Sequence, residues 1–215
     1  MSYKYPRSYH LSWSEGASND DKISTDISGL IGQQIIISEK LDGGNSSLES
    51  NGCFARSHSG IPTHSSFDLL KAFHSTIRHK IPKNIQLFGE NMFALHSIAY
   101  SELPGYFLLF NVRDQDTWLS WDEVEMWAEE IGVPTVPVLF KGKVDSDAEL
   151  KKITKSFMIQ PSLCGGVREG IVVRVASEFS DNNFSKYLAK MVRKNHVAPN
   201  SGHWSSKEII KNKLK

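Results

Sequence analysis

The stretch SEKLDGGNSSL, residues 38–48, follows an apolar run at residues 35–37 and carries a lysine flanked by two acids. The apolar run predicts a buried strand, and the glycines after Asp42 supply the backbone freedom that a tight turn requires. This pattern allows two interpretations of Lys40. It is either an ordinary solvated side chain at the corner of a hairpin or a reactive group that a strand holds in place.

The composition of the 215-residue chain is that of an ordinary soluble protein, with 40% hydrophobic residues and a net charge of +1. A chain of this length can bury one core, so we expect a single domain over residues 1–215 with a short basic tail at about 201–215. The sequence shows neither a membrane-length apolar run nor a signal peptide, which predicts an intracellular, cytoplasmic protein without a membrane partner. Cys53 and Cys164 form no metal-spaced cluster, in keeping with a reducing interior. The near-neutral charge means that nucleic-acid binding would need a local basic patch.

The pattern of apolar residues predicts seven strands and three helices. The strands are expected at residues 34–39, 52–56, 85–90, 106–113, 136–140, 170–175 and 187–194. The helices are expected at 66–79, 120–131 and 146–157, and the last two begin with a serine and a glutamate at capping-box spacing. Strands from distant parts of the chain, interleaved with helices, favour an α+β domain with antiparallel sheets. The basic residues of the tail, 206–215, predict a short helix with a frayed end.

Lys40 begins a Lys-x-Asp-Gly motif at the end of a predicted strand, and further short motifs follow it along the chain. They read ARSHSG at 55–60, FGEN at 88–91, FLLFNVR at 107–113, EGIVVR at 169–174 and KYLAKMVRK at 186–194. In this order and spacing, the set resembles the covalent nucleotidyltransferases, the superfamily of DNA ligases, RNA ligases and mRNA-capping enzymes. The resemblance spans residues 39–194. It implies that Lys40 attacks the α-phosphate of a nucleotide and forms a lysyl phosphoramidate.

Two positions around the first motif indicate a branch of this superfamily. DNA ligases and capping enzymes typically carry an arginine two residues after the glycine, where this chain has Asn45. Glu39 immediately before the lysine, together with Asn45, is similar to the RNA ligase 2 group. The resemblance therefore implies the adenylyltransferase domain of an ATP-dependent RNA ligase, an α+β nucleotidyltransferase fold of the ATP-grasp-like ligase type. The few residues after Lys194 leave no room for an OB-fold domain, so a partner supplying a second domain is one expectation, and the oligomeric state stays open.

The resemblance also implies a cluster of phosphate-binding cations in the last motif. Lys190 would stabilise charge on the α-phosphate and depress the pKa of Lys40 by like-charge repulsion. The family usually reads Lys-x-Lys at this point, whereas two apolar residues follow Lys190 here. Arg193 and Lys194 therefore remain alternatives for the second cation, and Lys190 and Lys194 are expected to share a strand face.

The remaining site residues are expected to hold ATP and a divalent metal. By the same resemblance, Glu90 would bind the ribose, Phe110 would stack on the purine, and Arg56 would serve phosphate binding or the later sealing steps. Glu169 would organise Mg²⁺ or Mn²⁺, most simply through water. The other residues that the resemblance places at the ATP site are Glu39 and Asn45.

Each motif alone also has an ordinary structural explanation. Arg56 is compatible with a surface charge, Phe110 with a core position, and Glu90 with a solvated loop. Taken together, the motifs favour a ligase that seals RNA ends, with nicked or annealed strands as the expected substrate. The alternatives are a DNA ligase or a GTP-dependent capping-type enzyme of the same superfamily, and a non-catalytic module that binds a nucleotide or RNA.

Overall fold

The chain folds into two mainly antiparallel β-sheets with helices packed on them, and the computed structural model describes residues 3–57, 60–194 and 208–215. The strands are β1 (Tyr9–His10), β2 (Gln34–Lys40), β3 (Gly44–Glu49), β4 (Gly52–Ala55), β5 (Ile85–Asn91), β6 (Phe107–Asp114), β7 (Thr117–Trp118), β8 (Val138–Lys143), β9 (Gly170–Val175), β10 (Phe179–Ser180) and β11 (Leu188–Val192). The α-helices are α1 (Asp68–Ile77), α2 (Trp121–Ile131), α3 (Asp147–Met158) and α4 (Phe184–Tyr187). Single 3₁₀ turns lie at Ser28–Leu30, Ser65–Phe67, Arg78–Lys80 and Asp181–Asn183.

The stretch that follows β2 is a crossover between the sheets. The five-stranded sheet has the order β1-β11-β9-β2-β8, and the six-stranded sheet has the order β10-β7-β6-β5-β3-β4. Every pair is antiparallel except β1 with β11, which is parallel. Because β2 and β3 belong to different sheets, the hairpin interpretation of residues 38–48 is wrong. Lys40 stands where the chain leaves one sheet for the other.

The apolar run of β2 is buried on both faces, since the strand contributes to two cores. Ile35 and Ile37 pack in a core with Val173 of β9. Ile36, which points to the opposite face, packs in the other core with Val124 of α2. A strand covered on both sides reads as a continuous apolar run, which explains why residues 35–37 show no alternation.

The three predicted helices are confirmed, with ends that differ from the prediction by one or two residues. α1 is shorter than 66–79 because a 3₁₀ turn flanks it at each end. The capping box of α2 is formed: the Ser120 N–H donates to the Glu123 carboxylate at 2.9 Å, and the Ser120 hydroxyl accepts from the Glu123 N–H at 3.4 Å. α2 ends at Gly132, whose φ of 73° gives the left-handed cap that glycine favours.

The predicted strands are confirmed as β2, β4, β5, β6, β8, β9 and β11, although β8 begins and ends later than residues 136–140. β3 was missed because its glycine and serines carry no strand signal; Ser46 and Ser47 are nevertheless buried between β4 and β5. The prediction of a strand over 187–194 is wrong at both ends, because Tyr187 ends a helical turn and β11 stops at Val192. Lys194 therefore lies beyond the strand and shares no strand face with Lys190.

The predicted frayed helix is wrong over residues 208–215, while residues 201–207 lie outside the described residues. The final residues form an extended segment that packs on the loop after β5, where the Leu95 N–H donates to the Ile210 carbonyl at 2.8 Å. Asn212 is 3% exposed, its amide donates to the Met92 carbonyl at 2.9 Å, and its side-chain oxygen accepts from the Tyr100 N–H at 2.9 Å. These side-chain hydrogen bonds stabilise an extended backbone, which a count of basic residues does not predict.

Two further observations concern the cysteines and the possibility of a membrane-spanning helix. Cys53 and Cys164 are buried, free thiols. Within the described ranges, no helix has the length and apolar character needed to cross a bilayer.

Candidate active site

A cleft of about 240 Å³ is lined by residues of both sheets, at the point where the chain crosses from β2 to β3. Among the lining residues that were not identified as site residues from the sequence are Tyr5, Asn111 and Arg174. The site residues predicted from sequence that line it are Glu39, Lys40, Asn45, Arg56, Glu90, Phe110 and Lys190. Motifs far apart in the chain therefore converge on one cleft.

The register of β2 against β9 places Lys40 beside Glu169. Lys40 ends β2 opposite Gly170, and Glu169 immediately precedes that glycine. The Lys40 Nζ donates to both carboxylate oxygens of Glu169, at 2.7 and 2.8 Å. A Cβ at Gly170 would lie 2.3 Å from the Met191 carbonyl oxygen, so glycine is required for the close approach of β9 and β11. The Glu-Gly pair thus supplies both the carboxylate beside Lys40 and the space for the backbone of β11.

The pKa values of Lys40 and Glu90 are both raised, but for different reasons. Burial lowers the pKa of Lys40, but the attraction of nearby carboxylates, above all Glu169, outweighs burial and raises it above its ordinary value. The expected depression of this pKa by Lys190 is therefore wrong in this structure. Burial also raises the pKa of Glu90 to about 8, with Lys40 opposing the shift and Glu169 adding to it. The protein thus favours a charged lysine and a protonated Glu90.

The raised pKa of Glu90 predicts a pH-dependent effect on stability. A carboxyl with a folded pKa of about 8, against an ordinary 4.5, binds its proton more tightly in the folded state, so the protein loses stability as pH rises from about 4.5 to 8. Glu90→Gln is expected to remove this loss. Its Tm should match that of the wild type near pH 4.5 and exceed it by several degrees above pH 8, where about 1 kcal/mol corresponds to roughly 2–4 °C.

The matched control for this measurement is Glu102→Gln, which neutralises an exposed glutamate. Thermal melts across the same pH range should show no pH-dependent difference between Glu102→Gln and the wild type. If the Tm difference between Glu90→Gln and the wild type is also constant with pH, Glu90 is not the group whose burial costs stability.

Lys190 lies in the middle of β11, opposite Val172 of β9, with its side chain 19% exposed. Burial lowers the pKa of Lys190, and the positive charges of Lys40 and Arg56 lower it further, while Asp21 opposes the shift. The nearest oxygen of Asp21 lies 4.0 Å from the Lys190 Nζ. Asp21 was missed from the sequence because an acid in an irregular loop near the amino terminus belongs to no recognisable pattern.

A buried polar network joins the two sheets in the wall of the cleft. Arg174 of β9 is 2% exposed, and its guanidinium donates to the Asn111 side-chain oxygen of β6 and, at 2.6 Å, to the Leu119 carbonyl. The Asn111 amide in turn donates to the Tyr5 hydroxyl at 3.1 Å. The Phe110 ring meets the Tyr5 ring edge-on, with centroids 5.2 Å apart, and remains partly exposed. Phe110 is therefore not a fully buried core residue, and its ring forms part of the cleft surface.

The Asp-Gly pair of the first motif fixes the crossover between the sheets. The Asp42 carboxylate accepts from the Ser97 N–H at 2.8 Å, the Ser97 hydroxyl at 2.7 Å and the Ile98 N–H at 2.9 Å. A Cβ at Gly43 would lie 2.5 Å from the Met92 sulfur, so a larger residue would push the crossover away from β5. These contacts give Asp42 and Gly43 a structural role next to Lys40.

Glu39 lies in the wall of the cleft, but its carboxylate is bonded within the protein. It accepts from the Leu163 N–H at 3.1 Å and lies 3.6 Å from the Arg168 guanidinium. Both partners belong to the loop before β9, which carries Glu169. Because neighbouring side chains of a strand point to opposite faces, Glu39 and Lys40 diverge. This geometry favours a supporting role for Glu39, holding the loop that presents Glu169.

The other predicted residues differ in how closely they approach the cleft. Asn45 of β3 pairs with Glu90 of β5, and the Arg56 N–H donates to the Asn45 carbonyl at 3.0 Å. The Arg56 side chain is exposed at the opening of the cleft. Lys194 is exposed, and neither it nor Arg193 belongs to the cleft lining that the structure describes. Two members of the second motif lie outside the described residues, His58 and Ser59.

Solved structures of ligases share this fold. An archaeal ATP-dependent RNA ligase is 14% identical with a TM-score of 0.56, and the match covers 88% of this chain and 48% of that one. A variant of the Naegleria gruberi RNA ligase with ATP and manganese is 18% identical with a TM-score of 0.52, covering 90% of this chain and 63% of that one. A putative ATP-dependent DNA ligase from Aquifex aeolicus is 18% identical with a TM-score of 0.54, covering 89% and 50%. The fold is thus a ligase-type nucleotidyltransferase domain, and this chain spans between 48% and 63% of the length of these structures.

The family follows from the sequence itself. A comparison with curated proteins gives no significant match. The model of the RNA ligase family matches residues 33–192, which is most of the chain. The chain belongs to the RNA ligase family.

Proposed function

We propose that this chain is an ATP-dependent RNA ligase that joins a 5′-phosphate end to a 3′-hydroxyl through a lysyl-AMP intermediate on Lys40. The observation that carries the proposal is the pairing of Lys40 with Glu169, at 2.7 and 2.8 Å, beside a cleft that Lys190 and Phe110 also line. Membership of the RNA ligase family supports the reaction class. The solved complex of the Naegleria gruberi ligase, which shares this fold, with ATP and manganese supports the choice of nucleotide and of a divalent metal.

The cleft suits the nucleoside part of ATP. Its volume of about 240 Å³ is slightly below the roughly 300 Å³ at which drug-sized ligand sites begin, so the triphosphate would extend toward the opening. Phe110 offers an aromatic ring on which a purine can stack. Glu90, protonated below a pKa of about 8, can both donate to and accept from a ribose hydroxyl.

The residues present fit a divalent metal that arrives with the nucleotide. Among the described residues, no group of three or more His, Cys, Asp or Glu side chains forms a metal-binding cluster. The carboxylate of Glu169 is a hard oxygen donor, of the kind that suits Mg²⁺ or Mn²⁺ surrounded mainly by water and phosphate oxygens. Such an ion would neutralise charge on the triphosphate. We assign Glu169 to its water shell.

The first step requires a neutral amine on Lys40. Nearby carboxylates raise the pKa of Lys40 although burial opposes them, so the amine must give up a proton before it attacks, and the Glu169 carboxylate, already hydrogen-bonded to Nζ, is placed to receive it. Nζ then attacks the α-phosphorus, so a nitrogen–phosphorus bond forms while the bond to the β-phosphate oxygen breaks and pyrophosphate leaves. Lys190 is placed to stabilise the charge on the α-phosphate oxygens.

The next two steps return Lys40 to its free state and join the strands. An oxygen of the 5′-phosphate attacks the phosphorus of lysyl-AMP, which breaks the nitrogen–phosphorus bond and forms a phosphoanhydride, while the leaving Lys40 nitrogen takes back a proton from Glu169. The 3′-hydroxyl then attacks the 5′-phosphate, its proton passes to solvent, and AMP leaves. A nicked or annealed substrate holds the two ends together, so the last step is effectively intramolecular.

The test combines the mass of the protein with a sealing assay. Incubation with ATP and Mg²⁺, but not with GTP, is expected to add one AMP to the protein, and nicked RNA duplexes are expected to be sealed faster than DNA or mixed nicks. Preferred sealing of DNA nicks would favour the DNA ligase alternative, and labelling by GTP would favour a capping-type enzyme. An absence of any adduct would leave only a non-catalytic binding module.

A prediction about Phe110 tests the nucleotide pose. Phe110→Ala is expected to raise the KM for ATP in self-adenylation roughly two- to tenfold, since an aromatic contact contributes about 0.5–1.5 kcal/mol. Phe110→Tyr should stay close to the wild type, because stacking needs only a ring. Phe140→Ala, which removes a partly buried phenylalanine of β8 outside the cleft lining, is the matched control. Thermal melts exclude unfolding, and an unchanged KM in a well-folded Phe110→Ala would mean that the ring only packs.

A further inference from the structure

An open groove of about 610 Å³ adjoins the cleft. Tyr5, Pro6 and Arg56 line both the cleft and the groove, so the two are continuous. We call it the basic groove, and its lining residues are Lys4, Tyr5, Pro6, Arg7, Arg56 and Ser57.

The three cations of the basic groove are exposed, and no acidic partner for them lies in the part of the chain that the structure describes. Across residues 3–57, 60–194 and 208–215, none of Lys4, Arg7 and Arg56 forms a salt bridge. Arg7 donates to the Asp20 carbonyl at 3.1 Å and keeps its charge uncompensated. The groove also continues the positive field of the cleft, since Arg56 is close enough to Lys190 to help lower its pKa. A groove with one sign of charge favours an anionic ligand.

The segment that carries Lys4 and Arg7 is anchored at both ends. The Gln86 amide donates to the Tyr3 carbonyl at 3.3 Å, and the Arg113 guanidinium lies 3.8 Å from the centre of the Tyr3 ring. At the other end, β1 pairs with β11 beside Lys190. The backbone between these anchors is therefore held against the sheets, which fixes the place from which both cations project.

We propose that the basic groove binds the phosphate backbone of the nucleic-acid substrate next to its reactive end, an inference that rests on the ligase function proposed above. The three residue steps from Lys4 to Arg7 span at most about 10 Å. Two cations on so short a span can contact neighbouring phosphates of one strand, one phosphate for each cation. A strand lying in the groove has its end directed into the cleft, toward Lys40.

The triphosphate of ATP is the other anion that the groove could receive. Lys4 and Arg7 line the groove but not the cleft, whereas Lys40 and Lys190 line the cleft itself. The α-phosphate therefore meets the cleft cations first. Lys4 and Arg7 also lie outside residues 33–192, the part that matches the family model, so the amino-terminal side of the groove is a surface that the matched motifs do not contain.

The test measures RNA binding separately from adenylation. The probe is a fluorescently labelled RNA duplex with a 5′-phosphorylated nick, titrated without ATP and with a chelator, between about 50 and 200 mM salt. The variant is Lys4→Gln with Arg7→Gln, and Arg56 stays intact because it also lines the cleft. The control is Lys152→Gln with Lys155→Gln, which removes the same charge from the exposed face of α3.

The groove variant is expected to bind the nicked RNA roughly tenfold more weakly than the control, with a salt slope reduced by about 2, one unit for each lost phosphate contact. Its KM for ATP in self-adenylation should stay within twofold of the wild type. The inference is overturned if the groove variant binds RNA as tightly as the control with the same slope. It is also overturned if only the KM for ATP rises, since the cations would then serve the triphosphate. A wild-type protein that forms no AMP adduct would reject the ligase function, while the RNA titration would still decide whether the groove binds nucleic acid.

Discussion

Lys40→Ala is expected to abolish the AMP adduct that the wild-type protein forms with ATP and Mg²⁺. Alanine offers no nucleophile at the end of β2, and the other steps of the proposed reaction depend on the lysyl-AMP that Lys40 would form. Intact mass spectrometry measures the adduct directly. The bond should be acid-labile and alkali-stable, as a phosphoramidate is, which distinguishes it from an ester on a serine or threonine.

Two further variants separate the nucleophile from the charge. Lys40→Arg keeps a cation beside Glu169, but a guanidinium stays protonated at all accessible pH values, so this variant should also remain unlabelled. Lys141→Ala removes an exposed lysine of the neighbouring strand β8 and should be labelled like the wild type. An adduct that persists in a folded Lys40→Ala protein would place the nucleophile elsewhere, with Lys190 as the other lysine of the cleft lining.

Lys190→Ala is expected to slow self-adenylation by about 10²–10³-fold, the cost of removing one group that stabilises charge in a transition state. The reason is its position in β11, where it can contact the α-phosphate while Lys40 attacks. Single-turnover formation of the adduct at saturating ATP gives the rate of this step. Lys190→Arg should recover part of the loss, because it restores the charge with a different shape.

The control for Lys190 lies on the preceding helix. Lys186→Ala removes an exposed lysine of α4 and should adenylate at the wild-type rate. Because Lys190 is expected to act on the phosphate and not on the nucleoside, its loss should lower the rate at saturating ATP more than it raises the KM. A Lys190→Ala protein that adenylates within threefold of the wild type would show that another cation stabilises the phosphate.

Local patterns were sufficient for much of the fold. β2 and β9 are recognisable because their apolar residues continue without a break, as expected for strands buried on both faces. α2 is recognisable because its capping box and its C-terminal glycine are both local in sequence. β3 was not predictable from Gly44 and its serines, since the neighbouring strands β4 and β5 alone make it a strand.

The residues of the candidate site also divide into those with a local sequence signal and those without one. Lys40, Glu90, Phe110, Glu169 and Lys190 stand in motifs that the sequence displays, and all of them lie at or beside the cleft. Asp21 and Tyr5 stand in no motif. They reach the site because an irregular amino-terminal segment packs across the sheets, which no periodicity records. Lys194 is the opposite case, a residue that the sequence predicted and the structure places elsewhere. It belongs to a basic run that was predicted to lie on the strand, but the run continues past the end of β11.

Local signals were enough to predict most strands and helices, the order of the motifs and the lysine proposed as nucleophile. Folding is what makes residues 41–43 cross between two sheets, pairs Lys40 with Glu169, and raises the pKa of Lys40 where like-charge repulsion had predicted a fall. The difference lies in the range of the interactions. Caps, turns and periodicity act between residues a few positions apart, whereas burial and Coulombic attraction depend on groups that folding brings together, 129 positions apart for Lys40 and Glu169.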